Sequence, residues 1–104
     1  MACLVVFSTA PSLSVARQIV RALVQERLAA CVNIIPSVES HYRWKGKITK
    51  DREVLMVMKT RKGLFTRLEK RLKHLHPYEV PEILALPAVK GSRSYLSWMN
   101  LELK

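Results

Sequence analysis

Glycine is scarce in this chain, three in 104 residues. That is too few for a glycine-rich loop whose backbone amides cradle a phosphate. Cysteine is scarcer still, and Cys3 and Cys31 stand far apart, match no metal-ligand spacing and sit among apolar residues. They read as free, buried thiols of a reducing compartment. No apolar run approaches the ~20 residues of a membrane helix. The stretch Cys3–Phe7 is too short for the core of a secretion signal and follows no basic segment, so a cytoplasmic protein without a membrane partner is expected. Acidic residues are the minority charge, eight against eighteen Lys and Arg, for a formal net charge of +10.

The positive charge is concentrated. Lys59, Arg61, Lys62, Arg67, Lys70, Arg71 and Lys73 are opposed only by Glu69. Such a patch is either the solvated face of a helix or a long-range attractor for anionic metabolites, nucleic acid or acidic proteins. No aromatic residue shares that charged face to stack bases, Phe65 belonging to the apolar stripe of the same helix, so nucleic acid is not an expected partner.

What is present reads as one domain, residues 1–104. The apolar run from Ala2 to Ser8 is a central strand. Val15, Ile19, Ala22, Leu23 and Leu28 recur at helical spacing after a capping Ser12 or Ser14, giving a helix of about five turns. Cys31–Ile35 returns to strand character until Pro36, which marks an edge or a bulge. Val38, Ser40, Tyr42 and Trp44 then alternate with Glu39, His41 and Arg43. Lys45-Gly46-Lys47 turns the chain into a third strand, from Ile48 or Glu53 to Thr60. Leu64, Leu68, Leu72 and Leu75 stripe a second helix, Ile83–Leu86 forms a short buried strand, and Tyr95, Leu96, Trp98 and Met99 lie on a last short helix. The order β-α-β-β-α-β predicts an α+β, ferredoxin-like split βαβ sandwich with a long second hairpin and a short C-terminal helix.

Common chemistries of that fold are missing. No closely spaced cysteine pair follows the first strand, the third strand carries Met56, Val57 and Met58 where an RNA-recognition domain has aromatics, and no signature surrounds Ser8, Cys3 or Cys31 as a nucleophile. A non-enzymatic protein is expected. The spacer His76-Pro77-Tyr78-Glu79-Val80-Pro81-Glu82 is the feature that invites a site. Its prolines hold His76 and Val80 extended, so it presents an imidazole, a phenol and two acids on a stiff backbone. His76 with Glu82 offers a nitrogen and a carboxylate to a divalent metal. His74, two residues earlier, points to nearly the opposite side of the helix. The hairpin adds a second clue: Tyr42 and Trp44 near its tip stay exposed unless another subunit covers them, which predicts a closed ring of copies.

Several segments together resemble a known family. Glu26-Arg27-Leu28-Ala29-Ala30-Cys31-Val32-Asn33-Ile34-Ile35-Pro36, Tyr42-Arg43-Trp44-Lys45-Gly46-Lys47-Ile48, Lys59-Thr60, His76–Ile83 and Tyr95-Leu96-Ser97-Trp98 are similar, in register, to the CutA family of divalent-cation tolerance proteins. The resemblance covers essentially the whole chain. It implies a homotrimer like the PII signalling proteins in architecture, a link to tolerance of copper and other divalent metals, and, for animal members, anchoring of acetylcholinesterase. Two positions depart from the pattern. Ser8 stands where some bacterial relatives have a cysteine and Leu75 where a relative has a second histidine, which leaves His76 and Glu82 as the metal pair.

The expectation is therefore a trimeric metal-homeostasis protein with no tightly bound cofactor and weak or indirect divalent-metal binding, copper included. The alternative is a PII-like trimer binding a small anionic ligand between subunits, beside Lys47, Lys59, Arg61 and Tyr78. In either case Lys59, Tyr78, Glu79, Tyr95 and Trp98 are expected to line a ligand pocket, and Tyr42 and Trp44 the trimer interface.

Overall fold

The first strand, β1 (Cys3–Ala10), lies inside a four-stranded sheet, as its unbroken apolar run requires. The structure is a computed structural model describing residues 2–104. After β1 come α1 (Leu13–Gln25), β2 (Cys31–Trp44), β3 (Lys47–Arg61), a single 3₁₀ turn, α2 (Phe65–Leu75), β4 (Leu84–Pro87) and α3 (Arg93–Glu102). The strand order β2-β3-β1-β4, antiparallel throughout, is that of the expected split βαβ sandwich.

Helix α1 starts where the Ser12 hydroxyl accepts the Val15 N–H at 3.2 Å and buries Ala16, Ile19 and Leu23. It stops at Gln25, short of the five turns that the spacing through Leu28 suggests. Arg27 adopts a left-handed conformation at φ 62°, and Leu28 N–H reaches back to the Leu23 carbonyl while Arg27 N–H reaches Val24. That is a Schellman stop without glycine. The Arg27 guanidinium offsets the strain by donating to the carbonyls of Leu101 and Glu102 at 2.7 and 2.8 Å, placing a cation at the C-terminal end of α3.

The β2–β3 hairpin turns through Lys45 (φ 50°) and Gly46 (φ 79°), the paired left-handed conformations of a type I′ turn. Pro36 sits on the edge strand, and the pairing register shifts between Ile35 and Val38, so the sequence expectation of an edge or bulge is met on both counts. Because β1 ends at the pair Ala10–Val54, residues 47–53 of β3 have only β2 beside them. The hairpin arms project from the body, and the molecule is 44 Å long but only 25 and 23 Å across.

Both long helices cover one face of the sheet, where Val6, Met56 and Met58 meet Ile19, Leu23, Leu68 and Leu72. Cross-strand partners share a face. The pairings therefore place Val5, Phe7, Leu55, Val57, Ile35, Leu84 and Leu86 together on the other side. Among the described residues α3 alone covers one end of that face, where Met99 meets Cys3. The expected buried strand at Ile83–Leu86 is instead an edge strand, with Leu84 and Leu86 59% and 50% exposed. Of the two free thiols Cys3 is buried, whereas Cys31 is half-buried.

Ser8 stands on the helix-covered face, fully buried, and among the described residues its Oγ has no hydrogen-bond partner. A stranded hydroxyl costs roughly 1–3 kcal/mol. Ser8→Ala should therefore raise stability by about 1 kcal/mol, seen as a higher urea midpoint at unchanged slope. A variant less stable than the parent would show that the hydroxyl is satisfied.

Candidate functional site

Pro77 forbids His76 a helical conformation, and α2 ends there with His76 at φ −83° and ψ 135°. The ring then turns inward and is buried. Its Nε2–H donates to the Thr9 carbonyl at 2.7 Å, and its Nδ1 accepts the Tyr78 N–H at 3.1 Å. The acceptor on one side and the donor on the other define the neutral tautomer with hydrogen on Nε2. This pins the spacer across the end of β1 and packs the Tyr78 ring 4.7 Å from the imidazole.

From there the Tyr78 hydroxyl donates to Glu53 Oε2 at 2.6 Å. Glu53 is a buried carboxylate on β3. Burial, and then this hydrogen bond, push the Tyr78 phenol well above the usual tyrosine range. A parallel arrangement lies further along the hairpin, where the Tyr42 hydroxyl donates to Asp51 Oδ2 and its phenol is likewise pushed up, chiefly by that bond. Between the hairpin arms and the spacer lies a cavity of about 560 Å³. Its walls are Tyr42, Trp44 and Tyr78, with Thr9, Ser40, His41 and Val80, and it is faced by Asp51, Glu53, Glu79 and Glu82.

Those four acids are half of the eight in the chain, and no Lys or Arg lines the cavity. In a protein of net charge +10 this is a local reversal of sign. Asp51 and Glu53 are brought to one side by strand alternation, two residues apart on β3, and Glu79 and Glu82 by the spacer. His41 borders the space on its strand, but its ring takes the side away from Asp51 and Glu53, with Nε2 held 2.7 Å from Glu39, both side chains exposed.

The structure redistributes the residues singled out from sequence. Tyr78, Glu79 and Glu82 do share a cavity, and Tyr42 and Trp44 belong to the same cavity. Lys59, Tyr95 and Trp98 are elsewhere. Lys59 is six residues along β3 from Glu53, about 20 Å at ~3.3 Å per residue, and bonds Asn33. Tyr95 and Trp98 pack against each other on α3, ring centroids 5.6 Å apart, and burial together with Cys31 pushes the Tyr95 phenol up. The pair His76 and Glu82 is not assembled as ligands, because both imidazole nitrogens are engaged with backbone. Among the described residues no three His, Cys, Asp or Glu side chains converge as a metal cage. Sequence reasoning missed Asp51 and Glu53. The signal available was an i, i+2 acid pair on a strand in a chain poor in acids.

Comparison with known proteins follows the same lines. The family described as CutA1 divalent ion tolerance protein matches residues 4–102. The divalent-cation tolerance protein CutA of Thermus thermophilus is 55% identical over 96 residues, covering 92% of this chain and 93% of that protein. The Arabidopsis thaliana protein CutA, named chloroplastic, is 44% identical over 93% of this chain, which spans only 53% of that protein. The solved divalent cation tolerance protein from Thermus thermophilus superposes with a TM-score of 0.96 at 51% identity, covering 98% of this chain and 99% of the other.

The Tyr78–Glu53 bond has a pH signature. An ordinary tyrosine ionises near 10, and the folded protein holds Tyr78 protonated above that. The stabilisation is thus full below pH 10 and is lost as pH rises further, since the unfolded chain then binds fewer protons than the folded one. Tyr78→Phe strands the buried Glu53 carboxylate and should cost about 2 kcal/mol at neutral pH. It should also shrink the alkaline loss of stability above pH 10. Equal alkaline loss in both proteins, by urea unfolding across pH, would assign that loss to other groups.

Proposed function

The chain belongs to the CutA1 divalent ion tolerance family, and from that membership and the cavity we propose a non-enzymatic cation-binding protein of metal tolerance that works as a homotrimer. The observation that carries the reading is the acidic cavity, with half of the chain's carboxylates and no Lys or Arg along it. Its free donors are mostly oxygens, which suit hard divalent cations. They do not form a closed cage, so a cation keeps most of its water and binds weakly. Copper prefers a nitrogen donor, and the cavity offers it none: both His76 nitrogens are engaged with backbone, and the His41 ring, opposite Lys50, takes the side away from Asp51 and Glu53. A binding role is also supported by how the acids are held, by tyrosine hydroxyls and not beside an activated nucleophile. The two free thiols support a reducing, cytoplasmic setting.

The trimer is proposed from two surfaces. The sheet face carrying Val5, Phe7, Leu55, Val57 and Leu86 is apolar yet has no layer over most of it. Tyr42 and Trp44 on the projecting arms are 40% and 42% exposed in the single chain. Copies closing into a ring cover both. The anionic-ligand alternative has less support within one subunit: Lys47 and Lys59 are twelve residues apart on β3, about 40 Å at ~3.3 Å per residue, so only neighbouring copies would gather them.

Sedimentation equilibrium should return three times the 11.9 kDa chain mass. Trp44→Ala should destabilise the assembly by about 3–5 kcal/mol, as for other buried aromatic truncations. A micromolar monomer overturns the ring. In calorimetric titration Cu²⁺ should bind no tighter than micromolar, and Asp51→Asn should weaken it about tenfold, or ~1.4 kcal/mol. A nanomolar site indifferent to Asp51 and Glu82 would place copper elsewhere.

A further inference from the structure

We propose that the outward side of α1 and α2 docks a flexible chain of inorganic phosphates. The two helices carry Arg17, Arg21, Arg67, Lys70, Arg71 and Lys73 against one acid, Glu69. This layer stays outside in the proposed ring, because the copies meet through the opposite face of the sheet and the hairpin arms. It is a surface separate from the acidic cavity and of opposite sign.

Helical spacing gathers the charges into two rows. On α1, Ser14, Arg17, Gln18, Arg21 and Gln25 line a groove of about 440 Å³. On α2, Arg67, Lys70, Arg71 and His74 line another of about 520 Å³, beside Glu26 at the end of α1. Two cations are engaged within the protein, Arg71 with Glu26 at 2.9 Å and Lys73 with Glu69 at 3.4 Å. Among the described residues Arg17, Arg21 and Lys70 have no side-chain hydrogen bond or ion pair, and Arg67 donates to a carbonyl, that of Lys104. Rows of free cations attract a polyanion at long range. At contact the guanidinium forks, with Ser and Gln side chains beside them, match phosphate oxygens.

The lining selects among polyanions. Its apolar part is Ala22 and the buried Leu28, and no aromatic ring borders either groove. Single-stranded nucleic acid holds by base stacking and a protein partner by aromatic or apolar anchors, so each would leave its strongest contacts unused. The three outer faces of a ring point in three directions. A bilayer is flat and duplex DNA is stiff, with a persistence length of ~50 nm, so either reaches one face at a time. A flexible chain of phosphates has charge and acceptors alone. It can pass from face to face, each engaged face raising the effective concentration at the next.

The test is calorimetric titration of the assembled protein at ~0.15 M salt with long-chain polyphosphate, poly-uridylate, duplex DNA and poly-L-glutamate, matched in total charge. Polyphosphate should bind at least about tenfold more tightly than the other three, or ~1.4 kcal/mol. Arg21→Gln combined with Lys70→Gln should weaken it at least about tenfold and flatten the fall of affinity with salt, because fewer counterions are released. Lys90→Gln combined with Arg93→Gln removes the same charge from exposed positions at the start of α3, away from both grooves. That pair should change the affinity less than about twofold. Equal weakening by both pairs shows attraction to net charge alone and overturns the proposal. Poly-L-glutamate or either nucleic acid binding as tightly as polyphosphate overturns it too. Sedimentation separates this from the ring: a trimer that fails these tests overturns the docking alone, whereas a monomer overturns the ring and the docking together.

Discussion

The imidazole of His76 uses both nitrogens on backbone, giving a hydrogen to the end of β1 and taking one from the spacer. Its burial makes each bond hard to replace, because a lost partner leaves a polar atom with no access to water. Tyr78 follows directly and has little freedom once its own N–H is fixed. Its hydroxyl then meets Glu53, and a buried carboxylate becomes tolerable through a donor brought there by the spacer. The cavity is the space left between that pinned spacer and the projecting arms. Its electrostatics thus depend on a residue that contributes no charge to it.

A second constraint comes from the two-layer architecture. Two helices cover one face of the single sheet, and its strands nonetheless carry apolar residues on both faces. The bulge at Ile35/Val38 adds a residue to β2 and exchanges which of its side chains point to which side. Beyond it Ser40, Tyr42 and Trp44 share a side with Asp51 and Glu53, while Arg43, Lys50 and Arg52 take the other. Without Pro36 and its bulge, β2 would continue in register with its odd-numbered residues on that side. His41 and Arg43 would then stand beside the acids, and the cavity would lose its single sign.

Element order and strand arrangement were legible because the relevant signals are local. Unbroken apolar runs, leucines at helical spacing and a Lys-Gly turn each act over a few residues. Pro36 was legible for the same reason. The end of α1 was not, since Arg27 holds its left-handed conformation through carbonyls on α3, some 75 positions away in sequence. His76 shows the same limit. Its composition and neighbours suggest a ligand, and only the end of β1, 67 positions earlier, shows the ring fully engaged. The family resemblance supplied topology but not this assignment of hydrogen bonds. The sequence groups Lys59 with Tyr78 as the end of the third strand, and Tyr95 and Trp98 as residues of the last helix, but within one chain some 20 Å of β3, at ~3.3 Å per residue, separates Lys59 from Glu53, the partner of the Tyr78 hydroxyl.

The remaining question is how an acidic cavity keeps its sign inside a strongly basic protein. Distance and screening answer it. Lys59 and Arg61 lie six and eight positions from Glu53 on β3, roughly 20 and 26 Å at ~3.3 Å per residue, well beyond the ~8 Å Debye length of physiological salt. The cations nearest in sequence, Lys50 and Arg52, alternate to the opposite side, where the Arg52 guanidinium donates to the Ser37 hydroxyl at 3.0 Å, and Lys47, on the acids' side, is four positions from Asp51, roughly 13 Å at ~3.3 Å per residue. Of the four carboxylates Glu53 is buried, beside the Tyr78 ring, and is screened less by water than the exposed basic helices are, whereas Asp51, Glu79 and Glu82 are exposed. Added salt therefore weakens the long-range repulsion of an approaching cation more than its attraction at contact, so moderate ionic strength favours entry into the cavity until salt cations themselves compete for the carboxylates.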